Sequence, residues 1–314
     1  MTFYPCELHC HTVHSDGGFT VDKLQNAAKD DGLSLIALTD HNTQSGFAEL
    51  DDSIIPVIRG IEWTTYFGHM LVLGADKFVD WRDAVPKNID EKIEEVKQNG
   101  GIVGVAHPFQ LGSPMCTGGR WEFEVSEWHK VDYIEIWHMA FAHDNIENRL
   151  ATQFWTDLLD EGYKLATTNG KDWHRPVEGH FACTYLLMDK PTPENALHAI
   201  KNGRTVVSSG AKFFFTADIY GKEYNIGDTV PGGDAVIKAY TDIYARRDYA
   251  VEKNIAYREI RIVTNGGECA VTASLTDSAI PIQLDSGNWY RAELWGTFGG
   301  EEAMLAVTSP IYVK

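Results

Sequence analysis

Two different hydrophobic patterns divide the chain at about residue 208. Before that point, short apolar runs alternate with segments of helical periodicity, whereas after it apolar and polar residues alternate with a period of two. The first pattern is typical of strand–helix units and the second of half-buried strands. We therefore expect two domains, residues 1–208 and residues 209–314.

The first part contains six strand-like runs that end in polar or ionisable residues. These runs cover residues 7–11, 35–41, 57–62, 102–107, 134–138 and 165–172, and a seventh covers 205–207. Helices are predicted between several of them, beginning after Thr20, at Ile89, at Ile146 and at Pro193, each closed by glycine. Repeated strand–helix units predict an α/β fold with a parallel sheet, whose carboxyl strand ends share one edge. An irregular (β/α) barrel of about seven strands fits best, and an open doubly wound sheet is the alternative.

The second part is predicted to be all-β, with six or seven short strands forming a sandwich that packs on the barrel. Apolar residues alternate with polar ones from Phe213 onwards, and Asn265-Gly266 marks a hairpin turn. This part contains no histidine. Its role, whether to wall one side of the site, to bind sugar or protein, or to dimerise, stays open.

Composition excludes several classes of protein. Lys and Arg number 27 against 45 Asp and Glu, a net charge of −18, which disfavours a nucleic-acid polymer as partner. A small anion can still bind where metal ions reverse the local charge. The five cysteines lack CxxC spacing, so neither a disulfide framework nor a zinc finger is indicated. No apolar run is long enough to span a membrane and the first ten residues do not resemble a signal peptide, so the expected location is the cytoplasm. A homo-oligomer is compatible with these observations.

Metal-type ligands follow most of the predicted strands. His9 and His11 are two apart on one strand and therefore share a face, which is a common way to grip a metal. Any one such residue has an ordinary structural explanation. That explanation does not account for metal-type ligands at many strand ends at once. If these residues crowd at one rim without a cation, the carboxylates repel one another and all the polar side chains lose hydration. The predicted ligands are His9, His11, Asp16, His41, Glu62, His69, His107, Asp172 and His174.

These motifs resemble the polymerase and histidinol phosphatase (PHP) superfamily. The segments that carry the resemblance are Glu7-Leu8-His9-Cys10-His11-Thr12, Ser15-Asp16-Gly17, Leu38-Thr39-Asp40-His41-Asn42, Gly60-Ile61-Glu62, Ala106-His107-Pro108 and Asp172-Trp173-His174. The C-terminal tract, with residues 263–267 and 309–313, is similar to the branch that includes carbaryl hydrolase.

The resemblance implies a distorted seven-stranded barrel that holds two or three divalent ions, namely Zn, Mn or Fe. It assigns His9, His11 and Asp172 to one ion, Asp16, His41 and His174 to a second, and His69 and His107 to a third, with Glu62 bridging. Glu7 stands where the family usually has Asp, and we expect it to orient an imidazole. His138 stands where Asn is common, which leaves its role open.

Such a cluster supplies a hydroxide nucleophile by lowering the pKa of a water between two ions. We therefore expect a metal-dependent hydrolase, acting on a small phosphomonoester or cyclic phosphate. His174 or His138 would assist the leaving alcohol, and Arg175 or Lys171 would add positive charge at the rim. One alternative is a carbamate, ester or amide hydrolase that uses the same cluster. The other is a non-catalytic binding protein stabilised by metals.

Other residues are weaker candidates for contact with substrate or metal. Arg120 follows the glycine-containing segment 112–119. Three tryptophans flank proposed ligands, namely Trp63, Trp137 and Trp173. They form either an aromatic wall of the site or part of the packed core. The remaining histidines are His14, His129, His143, His180 and His198, of which His143 and His180 are the better candidates.

Overall fold

The structure, a computed structural model, describes residues 1–112, 120–139, 145–176 and 182–314. Within these residues lie five α-helices: α1 (Val21–Asp30), α2 (Ile89–Gln98), α3 (Ile146–Asp160), α4 (Pro193–Lys201) and α5 (Arg247–Glu252). The four predicted helices are confirmed. No helix among the described residues is both long and apolar enough to cross a membrane.

Nine strands form the part of the main sheet that carries the predicted ligands. In chain order they are β1 (Thr2–Cys10), β2 (Leu35–Leu38), β3 (Val57–Thr65), β4 (Gly68–Leu73), β5 (Ile102–Ala106), β6 (Tyr133–His138), β7 (Ala166–Gly170), β8 (Cys183–Met188) and β9 (Thr205–Ser208). Their order in the sheet is β9-β8-β1-β2-β3-β4-β5-β6-β7. All seven predicted runs are strands, whereas β4 and β8 were not predicted.

The parallel pairs are β1–β2, β2–β3, β5–β6 and β6–β7, so the carboxyl ends of these strands share one edge. The strands that were not predicted, β4 and β8, run antiparallel to their neighbours. β4 enters through a tight hairpin after β3, which reverses the chain without a helix.

Strand β7 lies beside β8 and β9, and its backbone amides donate hydrogen bonds to side-chain hydroxyls of those two strands. The amide of Thr167 donates to Thr205 Oγ1 at 3.3 Å, and the amide of Asn169 donates to Thr184 Oγ1 at 2.8 Å. The α/β class with a β-rich C-terminal part is confirmed. Because β7 ends the hydrogen-bonded path of the sheet, closure into a seven-stranded barrel stays a prediction.

The C-terminal part contains ten strands, more than the six or seven predicted. They are β10 (Lys212–Ile219), β11 (Lys222–Asn225), β12 (Thr229–Val230), β13 (Gly233–Asp242), β14 (Ile255–Thr264), β15 (Gly267–Thr272), β16 (Ala279–Leu284), β17 (Trp289–Phe298), β18 (Glu301–Thr308) and β19 (Ile311–Val313). Four of them form a separate sheet, ordered β11-β10-β13-β16. The others join the main sheet, because β18 pairs antiparallel with β9.

The two sheets share one hydrophobic core. Phe213, Phe215 and Ala217 alternate on the buried face of β10, as the period-two pattern predicted. They lie in the same cluster as Ile260 of β14 and Leu294 of β17. This packing is typical of a sandwich. The domain boundary at residue 208 stays a prediction.

Candidate metal centre

All nine predicted ligands lie in one cluster at the carboxyl edge of the parallel strands. Eight of them lie in or after β1, β2, β3, β5 and β7, and His69 lies near the start of β4. Each member has a side-chain nitrogen or oxygen within 3.4 Å of another member. Shared strand direction therefore brings together residues up to 165 positions apart in sequence, since the first is His9 and the last His174.

Glu62 is the centre of this cluster. Its side chain is fully buried, and Oε2 lies 2.7 Å from His41 Nδ1, 3.3 Å from His9 Nε2 and 3.4 Å from His11 Nε2. The other oxygen, Oε1, lies 2.8 Å from His69 Nδ1 and 3.2 Å from His107 Nε2. One carboxylate thus faces five imidazoles.

The donor atoms fall into overlapping groups, each with its atoms within 4.8 Å of one another. Three of these groups are His9, His11, Glu62 and Asp172; His11, Asp16, His41 and His174; and Glu62, His69 and His107. The groups correspond to the three sets that the family resemblance implies, with His11 and Glu62 each shared by two. Whether the side chains bind ions in these sets stays a prediction.

Several buried side-chain nitrogens and oxygens of the cluster form no hydrogen bond of acceptable geometry within the described residues, although some of them lie close to one another. They include Nε2 of His9, both ring nitrogens of His11, Oε2 of Glu62 and Oδ1 of Asp172. Leaving such atoms unpaired is costly, unless a cation fills the space that they face. Imidazole nitrogens and carboxylate oxygens are ligands that Zn, Mn and Fe accept. The residues therefore fit divalent cations.

Burial and neighbouring carboxylates shift the pKa values of the clustered histidines in opposite directions. Burial opposes protonation of His9, but the carboxylates of Asp172 and Glu62 raise its pKa well above the ordinary value. Burial lowers the pKa of His11 to about 4 and also lowers the pKa of His107, so both rings are neutral at pH 7. A neutral imidazole keeps the lone pair that a metal needs.

Glu135 is a member of the site that sequence reasoning missed. Its Oε2 accepts a hydrogen bond from His9 Nδ1 at 3.0 Å, and its Oε1 accepts one from the amide of His107 at 3.3 Å. Gly170 leaves room for this carboxylate, because a Cβ there would lie 1.8 Å from Oε2. The available signal was an acidic residue inside the apolar run of β6.

Glu7 does not have the expected role of orienting an imidazole. Its Oε1 instead accepts the amides of His9 and Lys171, at 2.9 and 3.0 Å, and Glu135 is the carboxylate bound to the ring. Burial raises the pKa of Glu7 to about 8. Glu7 therefore ties the strand that carries His9 to the residue before Asp172.

Asp40 organises the loop that presents Asp16. Its two oxygens accept hydrogen bonds from the amide and the hydroxyl of Thr12 and from the hydroxyl of Ser15, each at 2.7 Å. Gly17 packs so closely that a Cβ there would lie 2.5 Å from the carbonyl oxygen of His11. The loop is thus fixed to the ends of β1 and β2, although the side chain of Asp16 remains 63% exposed.

The backbone around the cluster is strained. Asn42, His107, Met139 and Asp172 all have positive φ, between 26° and 73°. Each follows a strand that ends at the site, and such conformations cost about 1–3 kcal/mol for residues other than glycine. The fold therefore holds the side chains of His107 and Asp172 in positions that the local chain would not choose.

The predicted acid and rim residues have different surroundings. His138 is buried, with Nε2 3.1 Å from Asp172 Oδ2, and the half-buried His174 donates from Nδ1 to the carbonyl of Asp172 at 2.8 Å. Arg175 is exposed. Lys171 lies 3.6 Å from the ring centroid of Trp173, and burial lowers its pKa to about 7.

The other candidates lie away from the cluster or outside the described residues. His14 contacts Ser45 and Glu49, while His129 lies in a short 3₁₀ helix and His198 in α4. Arg120 is exposed, and Trp63 and Trp137 belong to the hydrophobic core. His143, His180 and residues 113–119 lie outside the described residues.

A cavity of about 510 Å³ opens onto the cluster. Its lining includes Asp16, His41, His69, His107, His138, Asp172 and His174, together with Ser15, Asn42, Thr64, Gln110, Leu111, Gly112 and Met139. This volume is that of a small-molecule site. A substrate in the cavity would therefore contact the cluster directly.

Comparison with known proteins identifies the family of this metal-type site. The PHP domain profile matches residues 7–100. An uncharacterised protein of Methanocaldococcus jannaschii, MJ1587, is 31% identical over 163 residues, which cover 46% of this chain and 87% of that protein. The chain belongs to the PHP domain family. Its similarity to the carbaryl hydrolase branch stays a prediction.

Two further proteins resemble the chain. The 3',5'-nucleoside bisphosphate phosphatase of Chromobacterium violaceum is 31% identical over 126 residues, covering 37% of this chain and 42% of that enzyme. The chain therefore aligns with less than half of that relative. A two-domain protein of Bacteroides vulgatus, described as containing a predicted PHP-like metal-dependent phosphoesterase, has the same overall fold. It matches with a TM-score of 0.57 and 17% identity, covering 99% of this chain and 95% of that one.

Proposed function

We propose that the protein is a metal-dependent phosphoesterase that hydrolyses a small phosphomonoester or a cyclic phosphate in the cavity above Glu62. The observation that carries the proposal is the position of Glu62, whose two oxygens face five imidazoles. Membership of the PHP family and similarity to a nucleoside bisphosphate phosphatase support the reaction class.

The donor groups would hold two or three ions of Zn, Mn or Fe. His9, His11 and Asp172 would bind the first, Asp16, His41 and His174 the second, and His69 and His107 the third, with Glu62 between them. When bound, such ions neutralise phosphate oxygens and supply a hydroxide nucleophile at neutral pH. No side-chain nucleophile is needed.

The protein side chains orient this centre and handle the proton of the leaving group. Burial opposes ionisation of Asp172, but His9 and its other imidazole neighbours hold the pKa of its carboxyl group well below the ordinary value. The carboxylate therefore accepts the hydrogen bond and His138 Nε2 carries the proton. His138 lines the cavity, so in its doubly protonated form it would give a proton to the leaving alcohol and remain as a neutral ring.

His174 and Arg175 would act at the rim. His174 lines the cavity, and its Nδ1 proton is held by the carbonyl of Asp172, which turns Nε2 toward Asp16 at 3.0 Å. There Nε2 would bind an ion or, when protonated, give its proton to the alcohol. Arg175 is exposed and follows directly, so its charge would attract an anionic substrate rather than contact the reacting phosphate.

The test is hydrolysis of an aryl phosphate by the full chain after reconstitution with Zn, Mn or Fe. We expect turnover with at least one metal, and a loss of at least 100-fold in kcat/KM for His41→Ala. His14→Ala is the matched control, because His14 lies outside the donor groups. Absence of phosphate release with every metal would contradict the proposal.

Parallel assays separate the remaining alternatives. Turnover of aryl carbamates or esters without turnover of phosphates would mean that the same nucleophile attacks a carbonyl carbon instead of phosphorus. A metal-stabilised binding protein would instead contain ions and hydrolyse none of these compounds.

A further inference from the structure

The cavity above the cluster has one polar wall and one partly apolar wall. The polar wall is formed by histidines and aspartates of the candidate metal centre. The partly apolar wall is formed by Leu111 and Met139. These two large hydrophobic residues are 63% and 48% exposed. Single exposed apolar residues are common on protein surfaces, but two in one catalytic cavity mark a place for an apolar group.

The backbone places these two residues beside the cluster. Met139 directly follows His138 at the end of β6, with φ of 73°, and its amide donates to the carbonyl of Gly170 at 3.0 Å. Leu111 follows a turn after β5 in which the amide of Gln110 donates to the carbonyl of His107 at 2.9 Å. Strands β5 and β6 are parallel neighbours, so the segments that carry Leu111 and Met139 leave the sheet at the same edge.

A positive φ is unfavourable for a methionine, and glycine or asparagine would adopt it more easily. The strain at Met139 therefore places an apolar side chain next to His138 at a cost to the backbone. Strain of this kind collects at functional sites.

Among the described residues, the lining of the cavity contains no Lys or Arg. The three segments outside the described residues, 113–119, 140–144 and 177–181, contain neither residue type in their sequences. A second phosphate on the substrate would require a cationic partner, typically Arg or Lys.

The side-chain amide of Asn42 is already hydrogen-bonded within the protein. Its Nδ2 donates to the carbonyl of Thr64 at 2.9 Å, and its Oδ1 accepts the amide of Thr64 at 3.0 Å. This reciprocal pair uses one of the two Nδ2 protons and fixes the side chain of Asn42 against Thr64.

We propose that the substrate is a phosphomonoester of an uncharged, partly apolar alcohol, whose apolar portion rests on Leu111 and Met139. The phosphate occupies the metal side of the cavity, and a second anionic group has no partner there. This inference rests on the proposed phosphoesterase function, and it distinguishes the chain from an enzyme that acts on nucleoside bisphosphates.

The experiment compares 2-naphthyl phosphate, methyl phosphate and adenosine 3',5'-bisphosphate with the metal-reconstituted full chain. We expect kcat/KM for naphthyl phosphate to exceed that for the bisphosphate at least tenfold. Leu111→Ser and Met139→Ser should each raise KM for naphthyl phosphate about tenfold and change the KM of methyl phosphate much less. Leu150→Ser, which replaces an exposed leucine of α3 that does not line the cavity, is the matched control.

Two outcomes would overturn the inference. One is a preference for the bisphosphate, and the other is an equal effect of the serine substitutions on naphthyl and methyl phosphate.

If no phosphate ester is hydrolysed, the proposed function fails and the cavity is tested by binding alone. Calorimetry then compares phenylphosphonate with methylphosphonate on the Zn-loaded protein. Phenylphosphonate should bind at least tenfold more tightly, and Leu111→Ser should remove that advantage. Equal affinities in the wild-type chain would overturn the inference.

Discussion

Glu135 Oε2 lies 3.0 Å from Nδ1 of His9, and this contact decides which ring nitrogen of His9 faces the cluster. With Nδ1 donating to a carboxylate, Nε2 is left toward Glu62 and Asp172, each 3.3 Å away. A carboxylate behind an imidazole fixes its tautomer and raises its basicity toward a metal.

Removal of this carboxylate should weaken metal binding. We expect Glu135→Ala to lower affinity for Zn or Mn by about 10–100-fold. Glu135→Gln should lie between Glu135→Ala and the wild type, because an amide oxygen still accepts from Nδ1 without carrying charge. Calorimetric titration measures the affinities, and Glu91→Ala, an exposed glutamate of α2, is the control. Wild-type affinity in Glu135→Ala would show that the contact has no effect on the metals.

Gly170 should tolerate no side chain while Glu135 is present. A Cβ at residue 170 would lie 1.8 Å from Glu135 Oε2, so Gly170→Ala should destabilise the fold by about 1–3 kcal/mol. In the double variant Gly170→Ala/Glu135→Ala the clash is gone, and part of that loss should be recovered. Chemical denaturation of the four proteins of this cycle measures the coupling. Strictly additive losses would mean that the two residues do not interact.

Replacement of Asp40 should weaken the binding of one ion more than that of the others. Asp40→Ala removes the acceptor that fixes Thr12 and Ser15, so the loop with Asp16 loosens while His9 and Asp172 stay in place. We expect about one fewer ion per chain by elemental analysis, and partial recovery with Asp40→Asn. Asp30→Ala, at the exposed end of α1, should keep the full content. An unchanged metal content in Asp40→Ala would contradict the proposed grouping.

Ion binding should stabilise the folded chain. Ligands that bind only the folded state add about 2.7 kcal/mol at 100 times Kd, so a chelator should lower Tm and readdition of Zn or Mn should restore it. His41→Ala should show a smaller rise on readdition than His14→Ala. Differential scanning fluorimetry gives both values, and equal Tm values with and without chelator would exclude tight binding to the native state.

The sequence indicated which residues meet at the carboxyl edge of the sheet, but it did not indicate Glu135 or the antiparallel strands β4 and β8. His9, Glu62 and Asp172 could be assigned because each ends a run with a strand pattern, and parallel strands must bring such ends to one edge. Glu135 could not be assigned in this way. Its partner lies 126 residues away, and the contact depends on how β6, β7 and β1 curve toward one another.

The strands that were missed have a common physical reason. β4 follows β3 after a two-residue turn, and β8 pairs antiparallel with β1. Neither arrangement belongs to the strand–helix repeat on which the prediction relied. The positive φ of His107 and Asp172 was equally invisible, because tertiary contacts impose it and residue type does not indicate it.

Ser309 connects the C-terminal part to the strand that leads into Asp172. Its hydroxyl accepts a hydrogen bond from the amide of Thr167 in β7 at 3.2 Å and lies 2.7 Å from Thr205 Oγ1. During translation, β7 emerges from the ribosome about 140 residues before this partner, and domains fold as units once their contacts exist. The placement of Asp172 therefore depends in part on strands that are synthesised well after it.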